Sequence, residues 1–95
     1  ITSDARLKFD VGVISNATET LSRLHPSTYT KFGSFESGLL VQDILCNAPE
    51  LSFLVEEHPI NGYLYLNYEG LIAYLSKAMF ELDARLANIR WYIST

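Results

Sequence analysis

NYEGLIAYLSKAMFELDARLANIRWYI, residues 67–93, is the stretch whose reading decides the fold. It contains no proline, and its one glycine, Gly70, falls in the first turn. Ala, Leu, Glu, Lys and Arg recur throughout, and these lose little side-chain freedom in a helix. Apolar residues stand at Tyr68, Ile72, Leu75, Met79, Leu82, Leu86, Ile89 and Ile93, stepping alternately by 4 and 3. The spacing is a heptad seam, with Ile72, Met79, Leu86 and Ile93 at one core position and Tyr68, Leu75, Leu82 and Ile89 at the other. Its period implies a left-handed supercoil. The helix would be about 40 Å long, more than a small domain covers. Leu71, Tyr74, Phe80, Trp91 and Tyr92 add apolar surface off the seam. One face is therefore available to partner helices and another to the chain's own strands. The alternative, a helix packed only on its own domain, leaves much of that surface uncovered. The mixture of Ile, Met and Leu leaves two-stranded and three-stranded coils both open. Glu81 precedes Arg85 by four, a same-helix pair worth about 0.3–0.5 kcal/mol. Arg85 and Arg90 would face each other unfavourably in a parallel coil.

Upstream, the pattern is of short elements. LKFDVGV, residues 7–13, alternates and suits a strand. Residues 16–24 read as a helix, with Asn16 as its cap, Glu19 as the reciprocal partner, and Pro26 ending it through His25. STYTKF, residues 27–32, suits a second strand, and Gly33 and Gly38 flank a turn. Residues 39–45 fit either strand or helix; the preferred reading is a strand entry at residues 39–41 and a short helix from Gln42, stopped by Pro49. Residues 51–55 are apolar enough for a buried strand. His58-Pro59-Ile60-Asn61-Gly62 signals a hairpin turn, with residues 63–68 as the return strand. The expectation is an α+β fold in one unit, residues 1–95. Short N-terminal strands and small helices fill residues 1–66, and the long helix fills residues 67–95.

The totals exclude several function classes. The 95 residues are 48% hydrophobic and 19% charged, too apolar for a disordered tail. A domain this short buries only about 60–65% of its unfolded surface, so self-assembly helps it. Net charge is −4 with no basic run, which argues against nucleic acid as a partner. The single Cys46 has no Cys partner for a disulfide or a zinc site, so no metal or other cofactor is expected, and Cys46 reads as a small buried hydrophobe. That cysteine usage points to a reducing compartment. No apolar run reaches the roughly 18–20 residues of a membrane span, and the first ten residues lack a signal-peptide layout, so no membrane partner is expected. The opening at Ile1, without an initiator methionine, suggests a piece of a longer protein. No phosphate-binding glycine loop or paired catalytic carboxylate pattern is present.

The candidate for chemistry is Ser3-Asp4-Ala5-Arg6-Leu7-Lys8. A serine hydroxyl attacks only once a base takes its proton. His25 and His58 lie far along the chain, whereas Lys8 is five residues away. A lysine acts as a base when neutral, and the free side chain stays protonated to about pH 10.4. Burial or nearby positive charge releases the proton, and Arg6 is placed to supply such charge. Asp4 is better suited to fixing the turn through an Asx hydrogen bond. On composition alone the hexapeptide reads as a solvated lead-in.

Taken together these segments resemble the peptidase S74 family, the intramolecular chaperone domains of phage tail fibres, tailspikes and endosialidases. The module also occurs in the membrane-bound myelin regulatory factor proteins. The family opens with Ser-Asp-x-Arg-x-Lys and an apolar stretch, as Ser3 to Lys8 and Phe9 to Val13 do. Its Pro-x-x-Tyr after a leucine-rich helix is similar to LSRLHPSTY, with Pro26 and Tyr29. Its Gly-apolar-apolar-x-Gln segment running to a proline looks like Gly38-Leu39-Leu40-Val41-Gln42 leading to Pro49-Glu50-Leu51. Its Tyr-x-x-Leu helix start resembles Tyr68-Glu69-Gly70-Leu71, and the apolar-x-x-Ala-x-x-Glu-Leu pattern of its long helix resembles Leu75 to Leu82. The resemblance covers nearly the whole chain in order. The stretch between Tyr29 and Gly38 is short, and Val41 stands where alanine is frequent.

The resemblance implies a homotrimer whose coiled coil gathers three chains, with the upstream fibre or tailspike domain of the same chain as its other partner. It implies a Ser-Lys dyad, with Ser3 as nucleophile, Lys8 as general base, and Asp4 and Arg6 shaping the site. The domain would then release itself by a single self-cleavage, either between Thr2 and Ser3 or just after Ser3. The implied setting is the host cytoplasm during virion assembly, with release from the mature fibre after the cut. Two further readings stand beside it: a trimerisation module that never cleaves, and the auto-processing domain of a membrane-bound transcription factor.

Overall fold

The computed structural model describes residues 3–94. The chain is α+β, with two small antiparallel sheets and a long C-terminal helix. The elements are α1 (Ala17–Ser22), β1 (Ser27–Lys31), β2 (Ser34–Gly38), α2 (Val41–Asn47), β3 (Val55–Glu57), β4 (Leu64–Leu66) and α3 (Tyr68–Ser94). A 3₁₀ turn spans Ala5–Leu7 and a 3₁₀ helix spans Pro49–Leu54.

Helix α3 forms where its composition places it, and the Asn67 side chain accepts the Gly70 N–H at 3.3 Å at its start. Leu71 and Ala78 are buried and Tyr74 packs against the core, so one stripe of its first half faces the body. Beyond Glu81, residues 82–93 are all exposed. The core is Leu24, Ile44, Ala48, Leu51, Leu54 and Leu71, with Leu21, Leu39, Val55, Leu66 and Tyr74 packed around it. Helix α2 supplies Val41 and Ile44 to the interior. Cys46 lies on the other side of that helix and is exposed, contrary to the expectation of a buried thiol.

Helix α1 is capped differently from its sequence pattern. Asn16 sits in the left-handed region at φ 54°, its side chain makes no capping bond, and the Asn16–Glu19 box does not form. The carboxylate of Glu81, on α3, accepts the Ala17 N–H at 3.1 Å and the Thr18 N–H at 2.8 Å. Thr18 Oγ1 also donates to the Ala78 carbonyl at 3.2 Å. These bonds satisfy donors that a helix start leaves unpaired and fasten α1 to α3. Among the described residues Glu81 makes no ion pair with Arg85, because its carboxylate is turned to α1.

The strand expected at residues 7–13 is absent: Leu7 belongs to the 3₁₀ turn and Asp10 lies at φ 52°. Strand β1 matches its expectation. The turn expected between Gly33 and Gly38 is instead a second strand, β2, paired with β1 from Ser27↔Gly38 to Lys31↔Ser34. The reversal lies at Phe32 and Gly33, with φ of 50° and 79°, the primed turn that joins two-residue hairpins. Phenylalanine rarely adopts that conformation, so the turn carried no Asn-Gly signature. Leu39 and Leu40 are irregular rather than strand; the Leu39 N–H donates to the Tyr68 hydroxyl at 3.1 Å. Pro49 does not merely end α2 but opens the 3₁₀ helix, where its missing N–H is no loss. That helix buries Leu51 and Leu54, the residues expected in a strand. The hairpin at residues 58–62 forms as expected, with the His58 N–H donating to the Tyr63 carbonyl at 2.8 Å, although β4 is only Leu64–Leu66.

Two substitutions probe this packing. Glycine costs about 1 kcal/mol against alanine inside a helix, yet a methyl on Gly70 would overlap the Leu54 side chain, which is only 2% exposed. Overpacking costs about 1–3 kcal/mol and outweighs the propensity gain, so Gly70→Ala lowers the urea midpoint. The second concerns acid. The Thr18 N–H, then the Thr18 side chain and the Ala17 N–H, hold the Glu81 carboxyl below its ordinary 4.5. A depressed folded-state pKa stabilises above the unfolded value and the benefit fades as pH falls through the folded one. Glu81→Gln therefore lowers the thermal midpoint at pH 7, and the deficit shrinks on titration below pH 4.5, read by circular dichroism.

Candidate active site and assembly face

The 3₁₀ turn assembles the polar N-terminal motif. Asp4 caps it: its Oδ1 accepts the Arg6 N–H at 2.9 Å, and the Leu7 and Lys8 N–H groups donate to the Asp4 and Ala5 carbonyls at 3.1 Å. The Asx turn expected of Asp4 is thus present. The turn brings Lys8 back over Ser3, and Lys8 Nζ donates to Ser3 Oγ at 3.0 Å. Nucleophile and candidate base are therefore within proton-transfer distance.

Arg6 is engaged with Asp4. Its guanidinium is paired with Asp4, Nη2 to Oδ2 at 2.6 Å and Nε to both oxygens at 3.1 Å. The Asp4 carboxyl is held below its ordinary value, first by the Arg6 side chain and then by its N–H, and Arg6 is raised by the same contact. The positive charge meant to act on Lys8 is answered by Asp4. Ser3, Arg6 and Lys8 are exposed in the single chain. Thr2, one side of the candidate scissile bond, lies outside the described residues.

The histidines are engaged elsewhere. His25 Nδ1 lies 3.0 Å from Asp43 Oδ1, its N–H donates to Asp43 Oδ2 at 2.8 Å, and Asn47 donates to Asp43 Oδ1 at 2.6 Å. These bonds, the His25 N–H first, pull the Asp43 carboxyl down to about 2. His58 Nδ1 accepts the Ile60 N–H within its own hairpin turn. The sequence reading missed Asp43 and the Glu81 cap. Each joins residues far apart in the chain, and neither follows a local pattern.

The eight seam residues Tyr68, Ile72, Leu75, Met79, Leu82, Leu86, Ile89 and Ile93 are 47–81% exposed. They lie in register along one side of α3, and a shallow apolar groove of about 400 Å³ runs beside Leu75, Met79, Leu82 and Leu86. This exposed apolar stripe is a candidate interaction surface. Among the described residues no cluster of His, Cys, Asp and Glu is arranged to hold a metal, and no helix is long and apolar enough to cross a membrane. Compared with protein-family models, with curated proteins and with solved structures, the chain matches none.

The Asp4 cap has a direct readout. Asp4→Ala removes the acceptor of the Arg6 N–H, and exchange of that amide with solvent, followed by NMR, accelerates about tenfold, the equivalent of one net hydrogen bond.

Proposed function

We propose that this chain is a trimerising intramolecular chaperone of the peptidase S74 kind, which gathers three copies of a phage tail fibre or tailspike and then releases itself by Ser3-dependent cleavage. The observation that carries this reading is the Lys8 Nζ to Ser3 Oγ hydrogen bond at 3.0 Å. The half-exposed seam on α3 supports a coiled coil, and the count of three chains comes from the family resemblance.

In the proposed reaction the neutral Lys8 amine takes the Ser3 Oγ proton as that oxygen bonds to the Thr2 carbonyl carbon. The Thr2–Ser3 amide bond breaks, its nitrogen receives the proton from Lys8, and an ester joins Thr2 to the Ser3 hydroxyl. Water, deprotonated by Lys8, then hydrolyses the ester to a Thr2 carboxylate and the Ser3 hydroxyl. Ser3 and Lys8 are exposed in the single chain. Assembly that excludes water from Lys8 would switch the dyad on. Cleavage then reports completed assembly, and loss of the chaperone makes folding of the upstream fibre irreversible. The reaction would run in the host cytoplasm during virion assembly, with no cofactor.

The test joins a soluble carrier protein ahead of Ile1 and follows the product on a denaturing gel, with fragment masses assigning the bond. The natural chain gives two bands. Ser3→Ala gives one, and so does Lys8→Arg, which keeps the charge and the donor but cannot lose a proton. Leu82→Glu, placed on the seam, gives a monomer by light scattering and slows cleavage at least about a hundredfold, since a buried carboxylate in each helix opposes the coil. Equal cleavage by Ser3→Ala overturns the catalytic assignment. A single band from every variant, with trimers intact, leaves a trimerisation module that stays attached.

A further inference from the structure

One groove of about 570 Å³ is lined by Tyr29–Lys31 of β1, by residues 39–42 at the start of α2, by Leu64–Leu66 of β4 and by Tyr68, and the β1 and β4 edges that it meets carry no further strand. The turn at Phe32 and Gly33 makes Lys31 and Ser34 a hydrogen-bonded pair. Pairs alternate in antiparallel ladders, so the backbone groups of Thr28 and Thr30 point away from β2. In the second sheet the bonds His58 N–H to Tyr63 and Asn67 N–H to Leu54, both 2.8 Å, set the same alternation. The backbone groups of Leu64 and Leu66 therefore point away from β3. Such edges are templates for a further strand, and two-stranded sheets this short are marginal alone.

The chain also holds a segment with strand-like alternation that joins no sheet. Phe9, Val11 and Val13 alternate with Asp10 and Gly12, yet they are 87%, 80% and 88% exposed and in no strand. Gly12 has nothing within 4 Å of an added Cβ.

We propose that residues 9–13 of one copy dock as an extended strand in the β1–β4 groove of a second copy. Five extended residues span about 17 Å, matching the five-residue edge of β1. Charge agrees as well: Asp10 would enter beside Lys31, and among the described residues neither is in an ion pair. The groove is continuous with the seam, because Tyr68 lines the one and begins the other. A partner helix lying along the seam brings its own body to the mouth of the groove. Each copy of a closed ring gives one strand and receives one. Asp10 leaves its left-handed conformation on docking, and the backbone runs straight from the docked Phe9 into Lys8. Docking thus fixes the general base against a neighbouring copy. This consequence rests on the cleavage reading above; the docking requires only a second copy.

The experiment replaces Val11 by the photoreactive p-benzoylphenylalanine, refolds isotopically heavy and light chains together, irradiates, and maps the adducts by mass spectrometry, with native mass spectrometry of the same sample giving the oligomeric state. Adducts joining heavy to light chains at Tyr29–Lys31 or Leu64–Leu66 are expected. Adducts at those positions only within one chain, or trimers with adducts elsewhere, overturn the docking and leave the trimer standing. A monomer overturns both. Val13→Pro, which removes a ladder N–H from a residue that is exposed in the single chain, provides the second arm. It keeps the trimer, loses the adducts, and slows self-cleavage about tenfold. Cleavage at the natural rate in a trimer lacking the adducts overturns the link to Lys8. If Ser3→Ala behaves like the natural chain, the cleavage reading has failed, and the adduct map still decides the docking.

Discussion

A helix of 27 residues on a body that covers only its first half is the constraint from which the remaining features follow. Helices in proteins gain most of their stability from packing an apolar face rather than from propensity. The body packs it through Leu71, Tyr74 and Ala78, and Glu81 is the last anchor. From Leu82 to Ile93 the residues are exposed, while apolar residues continue at heptad spacing. The seam thus runs past the part of the helix that the body covers, and that uncovered stretch is the surface the proposed coiled coil would use.

Glu81 marks the boundary between the two halves. On sequence it reads as a partner for Arg85, three or four tenths of a kcal/mol on a solvated surface. In the fold it satisfies two N–H groups at the start of α1, and it is held below its ordinary pKa for that reason. The six-residue α1 could not persist without such a tether. The short helix therefore exists because the long one is there, which is the reverse of their order in the chain.

Long periodic patterns and strong turn signals were legible. Helix α3, the helix of α2, strand β1 and the hairpin at residues 58–62 all follow from local chemistry. The failures share one cause: the local pattern was right and the partner was misjudged. Asn16 and Glu19 form a capping pair in sequence, but Glu81 had priority. Leu51 to Leu54 are apolar enough for a strand, but Pro49 preset a tight helical turn that buries the same side chains. The Phe32-Gly33 turn was hidden because phenylalanine is a poor resident of the left-handed region, and β2 was missed with it. At the candidate site, the Ser3–Lys8 approach and the Asp4 cap were legible because they are contained in one turn. The Arg6–Asp4 ion pair was not, since spacing alone does not tell which nearby charge a guanidinium will meet.

The alternating segment after Lys8 brings these points together. Period two predicts a strand because a strand with one apolar face is stable on a sheet, and the prediction presumes a sheet to join. Within one copy both sheets stop short of it, Asp10 turns the backbone away, and the apolar side chains stay in water. The seam of α3 presents the same situation in helical form: correct periodicity, no partner within the chain. Two independent patterns thus ask for a surface that one copy lacks, and both flank elements of the candidate site, one beginning at the residue after Lys8 and the other sharing Tyr68 with the open groove. On the proposed function, assembly that ordered this irregular segment would also fix the position of Lys8, which already lies 3.0 Å from Ser3 Oγ. If the proposed cleavage occurs, the uncovered seam and the unpaired alternating segment of the single chain would be the means by which it is timed.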